Sequence, residues 1–199
     1  MIGYRRISHS WLRNIPYAMA IKATIFKVGL QIADIDRNYY RDHALTLARH
    51  PSETDERMMV RLLAFARHAG PALSFANGLS ADDEPDLWQK DLTGAIELWL
   101  DVGLPDEKSI RRACGRARRV AIYAYGGRAA ELWWQQCAAK LKRIDNLSVF
   151  NVAQASSRAL AALAPHSRQL HCTVQEGQIW LASPEQRVQV EIDVWLAGP

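Results

Sequence analysis

The sequence predicts a single α/β domain with a mixed sheet flanked by helices and a hairpin near each end of the chain. Three observations predict it. Apolar residues at Ile21, Ala23 and Ile25 alternate with Lys22 and Thr24, the period of a half-buried strand. Helix-spaced segments then alternate with short β-prone runs through the middle of the chain. The last thirty residues return to strand–turn–strand around Glu176-Gly177.

The first run continues through Val28, Leu30 and Ile32. Asp34 to Asn38 reads as a turn, and Tyr39 to Ala48 as the returning strand. Pro51-Ser52 announces a helix, with Ser52 as N-cap, Asp55 at the capping-box position and Glu53, Asp55 and Glu56 in the favourable first turn. Its stripe is Met59, Leu62, Leu63 and Ala66, widened by Met58 and Phe65, and Gly70-Pro71 ends it. A strand at Leu73–Leu79, the acidic loop Asp82-Asp83-Glu84 and a hairpin over Pro85–Asp101 follow.

Gly103-Leu104-Pro105 breaks the sheet and starts a second helix over Asp106–Ala117. Val120–Tyr125 is a continuous β-prone run, as an interior strand requires. A third helix spans about Ala129–Arg143, burying Trp133, Trp134, Cys137 and Leu141. A strand Leu147–Val152, a short helix capped by Asn151 and Gln154, the terminal hairpin and a last strand near Val188–Ile192 complete the chain.

A chain of 199 residues with 49% hydrophobic content can bury one substantial core. No apolar run approaches the roughly 18 residues that cross a bilayer, so no membrane partner is expected. Cys114, Cys137 and Cys172 are scattered, odd in number and without a CxxC, which argues against a disulfide framework and fits a reducing cytoplasm. The net charge of +4 owes three charges to Arg5, Arg6 and Arg13, in a first segment without acids. The remainder is nearly neutral, so bulk charge is no evidence for nucleic-acid binding. Residues 1–18 read as an extension ahead of a start at Met19, and 19–196 as the domain.

The hairpin carries the candidate chemistry. Side chains alternate faces, so Asp86, Trp88 and Lys90 share one face of its first strand, and Glu97, Trp99 and Asp101 share one on the return. If the turn pairs Trp88 roughly with Glu97, the carboxylates of Asp86 and Glu97 lie close enough to hold one Mg²⁺ or Mn²⁺ through oxygen ligands.

Pro-Asp followed about ten residues later by an acid resembles the PD-(D/E)XK nuclease signature, and the predicted order helix, three strands, helix, strand matches the αβββαβ core of that fold. The strings Arg49-His50-Pro51-Ser52-Glu53-Thr54-Asp55-Glu56-Arg57, Asp83-Glu84-Pro85-Asp86-Leu87-Trp88-Gln89-Lys90, Ile96-Glu97-Leu98-Trp99 and Tyr125-Gly126-Gly127-Arg128 identify the chain as similar to the YaeQ family of small bacterial proteins. That resemblance implies a divergent PD-(D/E)XK nuclease-like fold and leaves the physiological reaction open. It would make Asp86 and Glu97 metal ligands, joined by Glu56 or Glu53 from the first helix, with Glu56 favoured because it faces the sheet.

The chain departs from the signature where lysine is required, because Trp99 stands two residues after Glu97. Lys90, on the Asp86 face, is the candidate replacement cation. Two functions follow as expectations: a Mg²⁺- or Mn²⁺-dependent nuclease acting on DNA or RNA, or a catalytically inactive descendant serving as a nucleic-acid or protein interaction module. Lys108, Arg111, Arg112, Arg116, Arg118 and Arg119 concentrate positive charge on and after the second helix, so Arg112, Arg116 and Arg119, with Trp88 and Trp99 as stacking platforms, are the candidate nucleic-acid contacts. Pro105-Asp106-Glu107-Lys108 spells the motif letters compactly but reads as helix initiation. The six histidines lack metal-ligand spacing.

Overall fold

The structure is a computed structural model that describes residues 24–76, 84–166 and 168–198. The leader 1–18, the acids Asp82 and Asp83 and the predicted end of the third strand at Leu79 lie outside the described residues. In chain order the elements are β1 (Thr24–Asp34), β2 (Tyr39–Arg49), α1 (Asp55–His68), β3 (Leu73–Phe75), β4 (Leu87–Lys90), β5 (Ile96–Val102), α2 (Glu107–Arg116) and β6 (Ala117–Ala124). There follow α3 (Arg128–Leu141), β7 (Leu147–Val152), α4 (Gln154–Leu163), a 3₁₀ turn at Ala164–His166, β8 (Gln169–Gln175), β9 (Gln178–Ala182), β10 (Arg187–Val190) and β11 (Ile192–Leu196).

Among the described residues the strands form two sheets rather than the one expected. One has the order β10-β9-β8-β1-β2, with β1 and β8 parallel, and the other β11-β7-β6-β5-β4-β3, with β5, β6 and β7 parallel. The predicted last strand is in fact two, split at Glu191, and each half joins a different sheet. The Glu191 amide bonds the Ser156 hydroxyl and its carbonyl accepts from Ala153, so the N-terminal turn of α4 holds the crossing point.

Helix α1 lies between the sheets. Its core includes Val28, Leu30 and Ile32 of β1 and Leu98, Leu100 and Val102 of β5, and every residue from Met58 to Ala66 is buried. A helix enclosed on all sides needs apolar residues beyond one stripe, which is why Met58 and Phe65 widen it. Its N-cap is Thr54, whose hydroxyl accepts from the Arg57 amide, and not Ser52, which bonds the His50 ring instead. On the outer face of the six-stranded sheet, Trp99, Ile110, Val120, Ile122 and Leu141 form a second core under α2 and α3.

The compact Pro105-Asp106-Glu107-Lys108 string does initiate a helix: the Asp106 carboxylate caps the Ser109 amide, and Glu107 pairs with Arg111 and Lys140. Asn151 lies within β7, and α4 starts at Gln154 without a side-chain cap, so neither residue caps it as expected. The cysteines are free thiols; burial raises Cys114 to about 11 and Cys172 to about 12.

Candidate functional site

The site lies where the β4–β5 hairpin opens and α1 begins. Strand β4 pairs antiparallel with β5 in the register Leu87↔Leu100, Trp88↔Trp99, Gln89↔Leu98 and Lys90↔Ile96. Glu97 is therefore an extra residue in β5, a bulge beside the turn, rather than the partner of Trp88. The turn itself is closed by Asp91, whose Oδ1 accepts from the Thr93 and Ala95 amides. That register corrects the expected pairing of Trp88 with Glu97 and, with it, the expected closeness of Asp86 to Glu97. The Asp86 amide donates to Leu100 and its Oδ2 accepts from the Val102 amide at 2.8 Å, so Asp86 meets the far end of β5 at Asp101–Val102.

Glu97 instead reaches Arg118 of β6, 3.2 Å away, with the Arg118 side chain 71% exposed. The structure does not bring Asp86 and Glu97 together as a ligand pair. Nor are the oxygens of Asp86 free for a cation. Arg57 Nη2 donates to both, at 2.9 Å each, and Arg61 Nε lies 3.3 Å from Oδ1. The same arginines hold Glu53: Arg57 Nη1 is 2.9 Å from Oε1, and Arg61 Nη1 is 3.0 Å from both oxygens. Two carboxylates and two guanidiniums thus close on one another, with the Arg61, Glu53 and Asp86 side chains 7%, 4% and 11% exposed. Among the described residues, no group of three His, Cys, Asp or Glu side chains is arranged to hold a metal ion. The implied Mg²⁺ or Mn²⁺ does not fit these donors as they stand.

The two candidate acids near α1 also separate. Glu53, just ahead of the N-cap, joins the arginine cluster; Glu56 points to α4, where its Oε1 accepts from the buried Ser157 hydroxyl at 2.6 Å. The preference for Glu56 is corrected accordingly. Lys90 folds back over the Trp88 ring, 3.3 Å from its centroid, whereas the partners of Asp86 are Arg57, Arg61 and the Val102 amide. Placement on one strand face did not suffice to bring that ammonium to the acid.

The electrostatics follow from this packing. Burial opposes the charge of Arg57, but the carboxylates of Asp86 and Glu53 outweigh it and raise its pKa. Asp101 is pushed up to about 6, first by burial and further by the charge of Asp86, against the opposing hydrogen bond from Trp99 Nε1 at 2.8 Å. Burial also raises Tyr125, which lies within the influence of Arg57, Thr54, Glu56 and Glu53. Asp101, Arg57 and Arg61 were not singled out from the sequence. Counting antiparallel pairs outward from Asp91 and allowing one bulge would have found Asp101; the arginines needed the position of α1 against the sheet.

Of the proposed nucleic-acid contacts, Trp88 is half-buried and Trp99 is 4% exposed. Trp99 carries the Arg116 guanidinium 5.4 Å above its ring and cannot act as a stacking platform. Arg112 and Arg116 lie on α2, with an Arg112 nitrogen 3.3 Å from the Ser109 hydroxyl. Arg118 and Arg119 belong to β6. Arg119 pairs across the sheet with Leu98, whose side chain enters the α1 core, so alternation separates it from Arg118. The Gly126-Gly127 turn, with φ of 105° and 59°, leads into α3 without a side-chain cap.

This is a mixed α/β protein in which two sheets enclose a helix and an acid-and-arginine cluster closes the opening of a hairpin. The YaeQ protein family model matches residues 19–192, and the chain belongs to that family. It is 46% identical over 177 residues to an uncharacterized YaeQ protein of Salmonella typhi, covering 89% of this chain and 98% of that one. The Escherichia coli K12 protein, also an uncharacterized YaeQ, is 45% identical with the same coverage. The crystal structure of the YaeQ protein from Xanthomonas axonopodis pv. citri superposes with a TM-score of 0.84 at 45% identity, over 89% of this chain and all of that one. That from Pseudomonas syringae gives 0.81 at 32% identity, over 88% and 97%.

Proposed function

We propose that this chain is a descendant of a PD-(D/E)XK-like nuclease that binds a nucleic-acid backbone without cutting it. The descent reading rests on element order. A helix (α1) is followed by the antiparallel strands β3, β4 and β5, then α2 and β6 parallel to β5, with Asp86 at the mouth of the middle strand.

The observation that carries the loss of cleavage is the cluster itself. Arg57 and Arg61 take up Asp86 and Glu53, the acids such a centre would present to a cation. Binding is supported by the outer edge of the hairpin, where Lys90 over Trp88, Arg116 over Trp99 and the exposed Arg118 set cations beside aromatic rings. A working metal-dependent phosphodiesterase would need Arg57 to leave Asp86 before a cation entered.

The test is fluorescence anisotropy with labelled single- and double-stranded DNA and RNA, in Mg²⁺, in Mn²⁺ and in EDTA, with each sample run on a denaturing gel. Binding that is independent of metal, weakens with salt, falls severalfold in Lys90→Gln and leaves the strands intact is expected. Metal-dependent cleavage lost in Asp86→Ala would replace this reading with the hydrolytic one. No binding to any strand would leave a protein partner as the role of the surface.

A further inference from the structure

We propose that the outer edge of β2 pairs with the same edge of a second copy of this chain, joining two five-stranded sheets across a two-fold axis at Ala44. Strand β2 ends its sheet and is 11 residues long. The other edge strands among the described residues are blunted: β3 has 3 residues, β10 has 4, and β11 carries a register shift between Val194 and Leu196. Strand β2 has no such device. Its register with β1 is unbroken from Tyr39 to Arg49, and it contains neither proline nor lysine. A long, unbroken edge is a template for another strand.

The ladder shows which groups point outward. The Gly29 amide donates to the Arg168 carbonyl and the Ile35 amide to that of Val174, so odd-numbered residues of β1 turn their backbone groups to β8 and even-numbered ones to β2. Val28, Leu30 and Ile32 therefore exchange hydrogen bonds with Leu45, His43 and Arg41. That leaves Tyr40, Asp42, Ala44, Thr46 and Ala48 turning N–H and C=O away from the sheet, and no backbone hydrogen bond engages those groups among the described residues. The first four of these residues are exposed.

This edge matches itself. Outward-facing residues must oppose one another in an antiparallel pair, which puts the axis on a residue rather than between two. With the axis on Ala44, the midpoint of the strand, all of β2 overlaps its copy: Tyr40 lies opposite Ala48, Asp42 opposite Thr46, Arg41 opposite Leu47 and Tyr39 opposite Arg49. No like charges meet. Moving the axis to Leu45 sets Arg41 opposite Arg49, and moving it to His43 carries Arg49 past the strand to Arg37. That self-match singles out a second copy over an extended segment of another protein, which would need only the backbone groups.

The experiment is sedimentation velocity of the full chain from micromolar to near-millimolar concentration, repeated on Ala44→Pro and Ala44→Lys. Proline there removes only an outward-pointing donor, and lysine sets two ammonium groups opposite each other at the axis. A reversible monomer–dimer equilibrium is expected, weakened at least about tenfold in either variant with Tm little changed, since Ala44 is exposed. Ala44→Lys decides the matter if Ala44→Pro does not fold. Oxidised Ala44→Cys should form a reducible crosslinked dimer, because Cα atoms of a hydrogen-bonded pair lie about 5.5 Å apart, within disulfide reach. The oxidised wild type and Tyr40→Cys should not crosslink. A dimer indifferent to both Ala44 variants, or Tyr40→Cys crosslinking as readily as Ala44→Cys, would overturn the assignment. So would a chain monomeric throughout, which would leave the edge to an extended segment of another protein.

Discussion

Arg57 grips both oxygens of Asp86 with one nitrogen, 2.9 Å to each, while its other terminal nitrogen holds Glu53 at the same distance. One side chain of α1 thereby ties the mouth of β4 to the turn that precedes the helix. The tie is structural as much as functional, because Arg61 shares both acids from a buried position.

Removing the acid should therefore cost more than removing one surface charge. Asp86→Ala leaves Arg61 without one of its two counter-ions and the Val102 amide without its acceptor. Breaking a buried pair from one side costs about 3–5 kcal/mol, and the partial exposure of Arg57 places the expected loss near the lower figure. Urea unfolding measures it, and Asp86→Asn, which keeps an acceptor for Val102, should lose less.

Glu97→Ala should cost little by contrast, under about 1 kcal/mol, because its partner Arg118 is largely exposed. The same urea experiment compares the two acids directly. A Glu97 loss equal to that of Asp86 would contradict the register described above.

Asp101 and His68 should tilt the stability curve in opposite senses. Asp101 holds its proton to about pH 6 when folded against 3.8 in its ordinary state, so folding takes up a proton between those values. Its contribution falls as pH rises from about 4 to 6, by on the order of 2 kcal/mol. Burial and neighbouring arginines lower His68 from 6.5 to about 3, so the unfolded chain takes a proton that the folded one refuses. That contribution is present above pH 6.5 and is lost as pH falls toward 3. The urea midpoint of Asp101→Asn minus that of the wild type should rise from pH 4 to 6 and then level; a flat difference would refute the assignment.

The two hairpin tryptophans should part company on truncation. Trp99→Ala removes a buried ring and the donor to Asp101, costing about 3–5 kcal/mol. Trp88→Ala, at a half-buried position under Lys90, should cost less stability and should weaken nucleic-acid binding severalfold if the proposed surface is used. Thermal unfolding alongside anisotropy separates the two effects.

Much of the architecture was legible because local chemistry decides it. Alternation marked β1 and β2, the apolar pattern marked α1, Asp106 marked the start of α2, and Pro85-Asp86 stood correctly at the mouth of a strand. What the sequence determined by itself was the kind and order of elements, since period, caps and turn residues act over a few positions. Tertiary structure alone decided which side chains meet. A turn one residue longer than expected and the bulge at Glu97 together set Trp88 opposite Trp99 instead of Glu97 and carried Asp86 to the Asp101 end of β5, and the position of α1 against the sheet handed Asp86 and Glu53 to Arg57 and Arg61. Glu191 likewise divided one apparent strand between two sheets. The physical reason is common to all three. Register and ion pairing depend on distances across the fold, where a single residue of slip exchanges every neighbour while leaving the local pattern intact.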